Sequence, residues 1–384
     1  MSCFRRGIRT LCSRKIYFFM LIVVPLAGAF FFLSLMHEGL PTRIPSAIVD
    51  LDHSQMSRRV TRSLACTELI DITETKESYS DAINALKAGE IYGFFYIPQN
   101  FQKQALAGEK PTLSFVTNMS IYVPGTLAYK GFKTQAVTTS GGLLTAVLAE
   151  SGAEAALGLS SDSLMPLNMD YNLIGNPWMN YSVYLSQSFL AGLIALLAMV
   201  MTVFSITEEI KWQTSPEWLA SAHGSMGLAL LSKLLPQTVI LSAVGVAIQA
   251  VMFEFLYFPI HCPAWHMVLA MVLLVASSQG FAAFIAEIVP NVRMSLIVVS
   301  LTSILAFSVA GFSFPVDKMY GAVGIFAYIL PIRYYFLIYI DQALNGIPLY
   351  YSRIYYIVML GMILLPLLGL RRLRGRCLRP VYVP

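Results

Sequence analysis

Residues 16–36, IYFFMLIVVPLAGAFFFLSLM, run for 21 residues without one charged side chain. A helix of that length crosses the roughly 30 Å hydrocarbon core of a bilayer. Further long apolar segments follow at about 182–206, 227–257, 265–289, 294–314 and 353–370. Backbone polar groups inside hydrocarbon must be satisfied internally, so runs of this kind become helices. The fold class expected is an α-helical membrane protein with six transmembrane helices. A basic start before an apolar stretch also describes a signal peptide, but the apolar region there is only about 7–15 residues long. Residues 16–36 therefore read as a retained first span.

Composition agrees. The chain has 384 residues, of which 57% are hydrophobic and 12% charged, against about 25% charged in soluble domains. That nearly excludes a water-soluble globular enzyme. The net charge of +5 is segregated: residues 37–181 hold 10 Lys/Arg against 14 Asp/Glu, and the remainder holds 16 against 7. Arg5, Arg6, Arg9, Arg14 and Lys15 precede the first span, and Arg371, Arg372, Arg374, Arg376 and Arg379 follow the last. Positive clusters flanking apolar segments orient a chain in a membrane; they are no footprint of nucleic acid. With six crossings both clusters, the loop 207–226 and both termini lie in the cytoplasm, and 37–181 lies outside. A seventh crossing through 319–340 would separate the two arginine clusters and put Pro331 and Arg333 near mid-membrane. The region near 315–350 is read instead as an outer re-entrant hairpin.

Between the first two spans the composition is that of an ordinary folded domain. PSAIVDL (45–51), IYGFFYI (91–97) and TLSFVTN (112–118) have strand composition, while 54–65 and 78–89 have helical spacing. An inserted extracytoplasmic α/β domain follows, with a long helix expected over 122–160 returning toward the membrane. Asp50, Asp52 and His53 after the first strand read as a turn, since Asp favours loop and cap positions. Sequons begin at Asn118 and Asn180. Five cysteines without a CxxC pair give neither a disulfide framework nor a zinc site.

Two inner segments carry more information. Phe4, Ile8 and Leu11 share a face at helical spacing, so residues 1–15 suit an amphipathic helix on the inner leaflet, and equally a basic orientation signal with no fixed structure. In the 207–226 loop, Thr214 offers a cap, Pro216 a first helical residue, Glu217 an acid in the first turn and Gly224 a stop. A helix of about two turns is expected over 215–224. So short a helix needs a surface to dock on. Glu208, Glu209 and Glu217 outnumber Lys211 in this loop, which favours a protein over anionic lipid.

No G-x-x-x-x-G-K-[ST] phosphate loop occurs, nor H-E-x-x-H, nor G-x-S-x-G. No catalytic set can be named, and any ATP hydrolysis would have to come from another chain. His261, Cys262 and His266 flank Pro263 in a short outer loop and are not read as a metal site. Glu254 and Glu287 are expected near span ends in reach of water, so no proton relay is inferred.

The parts that remain occur in an order: AIVDLDHSQMSRR (47–59), NPW (176–178), SPEWL (215–219), SKLLP (232–236), GFSFPVDKM (311–319) and ILP (329–331). This set resembles the permease subunit of type-2 ATP-binding-cassette exporters, in the subgroup with a large extracytoplasmic domain between spans one and two. The resemblance implies an ATPase-coupling helix carried by Ser215, Pro216, Glu217, Trp218 and Leu219, with Thr214 standing where the family has glycine. It matches Lys233 and Pro236 to the opening of span three, and Gly311, Phe312, Pro315 and Pro331 to the outer re-entrant segment. It further implies a cytoplasmic ATPase partner that uses ATP and Mg, and a second permease protomer making a homodimer or heterodimer. Membrane lipids surround it, and a periplasmic adaptor and outer-membrane channel are possible partners at an inner membrane. Function by this resemblance is outward transport of a hydrophobic or amphipathic substrate, with cargo and substrate-binding residues unidentified. The competing reading is a non-transporting membrane scaffold or receptor whose outer domain binds an envelope partner; an outer-leaflet enzyme has the least support.

Overall fold

The computed structural model describes residues 2–36, 42–65, 68–107, 112–117, 124–134, 176, 180–289, 291–312 and 314–380. Two compact units result, one from Met1–Gly39 with Asn172–Pro384 and the other from Leu40–Tyr171.

The first unit begins with α1 (Ser2–Ser13), followed by α2 (Lys15–Leu35). Pro25 lacks the N–H that would bond back to Leu21, and a π-helical turn over Phe19–Val23 widens the helix just before it.

The second unit is a small sheet clad on both faces. Its elements are β1 (Ile44–Asp50), α3 (Gln55–Ala65), β2 (Ile70–Thr75), α4 (Tyr79–Ala88), β3 (Gly93–Ile97), α5 (Phe101–Leu106) and β4 (Ser114–Thr117). Residues 124–134 form a further helix, α6. Strand order is β2-β1-β3-β4, with β1 parallel to both neighbours and β4 antiparallel to β3. Alternate residues of β1 serve opposite faces: Ile44 and Ile48 pack with Val60 and Leu64 of α3, while Ala47 and Val49 pack with Ala82 and Leu86 of α4. Ser78 caps α4 by accepting from the Asp81 N–H, and Gly89 at φ 79° ends it. The strand Ile70–Thr75 is an addition to the sequence reading: its residues IDITET are mostly exposed, as an edge strand allows. Of the long helix expected over 122–160, only 124–134 falls among the described residues.

The Asp50 carboxylate accepts from the Asp52 and His53 N–H groups at 3.0 and 3.1 Å and from Ser57 Oγ at 2.7 Å. Asp52 accepts from the Gln102 N–H at 3.1 Å. This cluster is a turn. Among the described residues no group of three His, Cys, Asp or Glu side chains is placed to hold a metal.

The first unit resumes with α7 (Ser182–Lys211), α8 (Ser215–Ser221), α9 (Met226–Phe255), α10 (Ala264–Ile288) and α11 (Val292–Val309). After these come α12 (Gly321–Ala327), α13 (Pro331–Leu344), α14 (Leu349–Leu368) and α15 (Leu370–Leu378). Among the described residues six helices, α2, α7, α9, α10, α11 and α14, are long and apolar enough to cross a membrane. In α7 and α10 the most apolar window is 72% and 67% buried, against 22–33% in the other four, so these two form the centre of the bundle. The segment expected to run to 314 stops at Val309, because Gly311 takes φ 101° and turns the chain. The last span starts at Leu349, behind Pro348, rather than at 353.

α12 and α13 meet at 76°, with Pro331 opening the second helix. Arg333 is partly satisfied there: Nη1 donates to the Ala310 carbonyl at 3.0 Å and the guanidinium lies 4.8 Å from the Tyr328 ring, while Nε has no partner among the described residues. Glu287 departs from the solvated position expected of it. It is 1% exposed, and neither carboxylate oxygen has a hydrogen-bond partner among the described residues.

Candidate functional site

The short helix α8 is where the chain concentrates its polar bonds. It forms as expected, one residue earlier than Pro216, and ends in a turn where the Gly224 N–H donates to the Leu219 carbonyl at 3.0 Å with Gly224 at φ 75°. Thr214 does not cap it. The Thr214 hydroxyl donates to the Glu209 carboxylate instead.

Glu209, at the end of α7, is the hub. Its Oε1 lies 2.6 Å from Lys233 Nζ of α9, and its Oε2 lies 3.3 Å from Arg6 Nη2 of α1. Lys233 and Glu209 are both at least nine-tenths buried by side chain. The Lys233 ammonium also sits 4.6 Å from the centre of the Trp218 ring, so one cation ties α7, α8 and α9 together. Ser215 Oγ donates to the Cys377 carbonyl at 2.9 Å, which fixes α8 to α15. Beside them Glu208 pairs with Arg14. Glu208 and Glu209, two of the three acids counted in the sequence as an excess in this loop, are thus paired within the chain, and of the three only Glu217 is exposed.

α1 docks against α9. Pro236 has no N–H for the Ser232 carbonyl, and Gly7 approaches that carbonyl so closely that a Cβ would lie 2.5 Å from it. Cys3 Sγ is 2.6 Å from Ser232 Oγ. The face of α1 against protein is Cys3, Gly7 and Leu11, whereas Phe4 and Ile8, expected on the same face as Leu11, are exposed. Burial pushes the Cys377 thiol up to about 12.

α8 therefore has two sides. Ser215, Trp218 and Leu219 are buried, the two apolar side chains in one cluster with Val203, Ile206 and Met226. Glu217, Ala220 and His223 are exposed, with Trp212 and Gln213 just before the helix, Trp212 at 62%. Pro216 is half-buried. Sequence reasoning counted Glu209 only in the loop's acidic excess and Arg6 only in the basic cluster, and it did not connect Trp212 or Cys377 with this site; the Glu208–Glu209 pair closing an apolar run was the visible signal.

A second constellation brings Gly311 and Phe312 against Arg333 and Phe336 of α13, the helix that Pro331 opens. Phe312 is buried against the Phe336 ring at 4.6 Å, and its carbonyl accepts from the Tyr184 hydroxyl. A Cβ on Gly311 would lie 2.9 Å from Arg333 Nη1. Pro315 is exposed and outside this contact. Deeper in the bundle, Tyr335 Oη accepts from Gln187 and Gln249, each at 2.7 Å, tying α7, α9 and α13 together.

Residues 15–370 match the model of a family described as ABC-2 family transporter protein. The chain belongs to the ABC-2 transporter family. No curated protein matches it. As an ABC-2 membrane component it is a multi-pass permease of an ABC transporter, without an ATPase site of its own, and it works with an ATP-binding-cassette ATPase.

Proposed function

We propose that this chain is an export permease that moves a hydrophobic or amphipathic substrate outward across an inner membrane, driven by its separate ATPase. In this reading both termini and α8 face the cytoplasm, Leu40–Tyr171 is extracytoplasmic, and α12–α13 is an outer re-entrant hairpin. A second permease protomer completes the pathway, and an adaptor and outer-membrane channel can engage the outer unit. α8 is the coupling helix. Glu217, with Trp212, Ala220 and His223, meets the ATPase, while Ser215, Trp218 and Leu219 carry its displacement inward to α7, α9 and α15.

The observation that supports this best is the two-sided burial of α8 in an ABC-2 chain. A seven-residue helix held by an ion pair, a cation over a ring and a hydrogen bond to α15 moves with its neighbours rather than alone. Co-purification with the ATPase tests it. Trp212→Ala with Glu217→Arg is expected to abolish association at unchanged thermal stability of the permease; undiminished association removes the coupling role from this face.

A further inference from the structure

α9, α10 and α14 leave a cleft of about 610 Å³ between them, running from Ser242 and Val272 down to Leu370 at the start of α15. Its walls are almost wholly apolar, with Leu231, Leu235 and Val239 from α9 and Leu364 and Leu367 from α14. Three polar side chains, Thr238, Ser242 and Gln279, interrupt them. Gln279 is 3% exposed and Ser242 7%, and Gln279 Nε2 and Ser242 Oγ both lack a partner among the described residues. Thr238 Oγ1 lies 3.0 Å from the Leu234 carbonyl and 2.5 Å from Gln279 Oε1, which leaves Nε2 as the end of the amide without a partner among the described residues. A buried donor without an acceptor is costly, and an occupant of the cleft that carries a carbonyl would satisfy it.

Charge at the lower end narrows the choice. Arg371, Arg372 and Arg374 are exposed and have no carboxylate partner among the described residues. Gly280 packs directly on Met362 and Ile363 of α14. α14 ends in a 3-10 turn over Leu365–Leu368 and a break at Gly369 separates it from α15, and Arg371 follows directly on Leu370, which lines the lower end of the cleft. An apolar channel, one buried amide donor and an arginine cluster below it match a fatty acyl chain, its ester carbonyl and a phosphate.

We propose that this cleft is a binding site for a glycerophospholipid of the surrounding bilayer. One acyl chain lies between α9, α10 and α14, the ester carbonyl accepts from Gln279 Nε2, and the phosphate rests on Arg371 and Arg374. The site lies on a different helix set from the α7–α8–α9 coupling cluster and does not depend on the direction of transport.

The test uses the full chain reconstituted in vesicles of phosphatidylethanolamine and phosphatidylglycerol that contain a phosphatidylglycerol with a photoactivatable acyl chain. Crosslinked positions are mapped by mass spectrometry. Crosslinks are expected to concentrate on 230–242 and 363–370, well above those at the exposed Ile354 and Ile357 of α14. Gln279→Leu, which removes an unpaired donor and leaves the fold in place, should lower cleft crosslinking up to about tenfold, the worth of one hydrogen bond to a buried group. Leu235→Trp, which fills the cleft, should remove it while the signal at Ile357 persists. Equal crosslinking at the cleft and at Ile357, or a cleft signal unchanged in Leu235→Trp, would overturn the proposal.

Discussion

Glu209 collects more of the chain than any other residue near α8, since its carboxylate meets Lys233, Arg6 and Thr214. Removing one partner of a buried ion pair leaves the other uncompensated, at about 3–5 kcal/mol. Lys233→Met should therefore lower thermal stability markedly, and adding Glu209→Met should restore most of it, both read from melting in detergent. Cys377 gives a pH dependence. Its thiol is raised to about 12 by burial, whereas an unfolded cysteine titrates near about 8.5. Between those values the native state holds a proton that the unfolded state has lost, so this residue's contribution to stability falls as pH rises above about 8.5. Cysteine 377 replaced by alanine should flatten that alkaline loss. At neutral pH a maleimide should modify exposed Cys12 and leave Cys377 intact. In the sequence Trp218 and Leu219 stood out, but seven residues of helix cannot show which side faces inward; that is decided by Lys233 and Cys377, remote in the chain.

At the scale of elements, positive φ and close packing mark where substitution tells most. Gly311 combines φ 101° with the nearby Arg333 guanidinium. Gly311→Val should cost about 1–3 kcal/mol from backbone strain alone and loosen α12 and α13, seen as faster proteolysis between 311 and 331. Gly7→Val should lift α1 off Ser232 without unfolding the spans, so that Cys3, buried at 9% exposure, becomes open to alkylation. The spans were legible because twenty uncharged residues in a row admit few other readings. The edge strand Ile70–Thr75 was not, since a strand with one solvated face and polar ends carries little apolar signal. Nor was the docking face of α1: Phe4 and Ile8 made the apolar stripe, but the small residues Cys3 and Gly7 permit close approach to α9.

For the whole molecule, the family match and six long apolar helices establish a multi-pass ABC-2 permease. Arginine placement argues for the orientation, because both basic clusters fall on one side only with an even number of crossings. In the proposed orientation α8 and both termini share the compartment of the ATPase while the sheet unit lies in the other. Single cysteines at positions 12, 217, 372 and 71, each in a chain otherwise free of cysteine, are exposed to a membrane-impermeant maleimide on sealed vesicles of known orientation. Position 71 is expected to react from the outer side, and 12, 217 and 372 only after the membrane is opened. Reaction of 12 or 372 together with 71 before opening would contradict it.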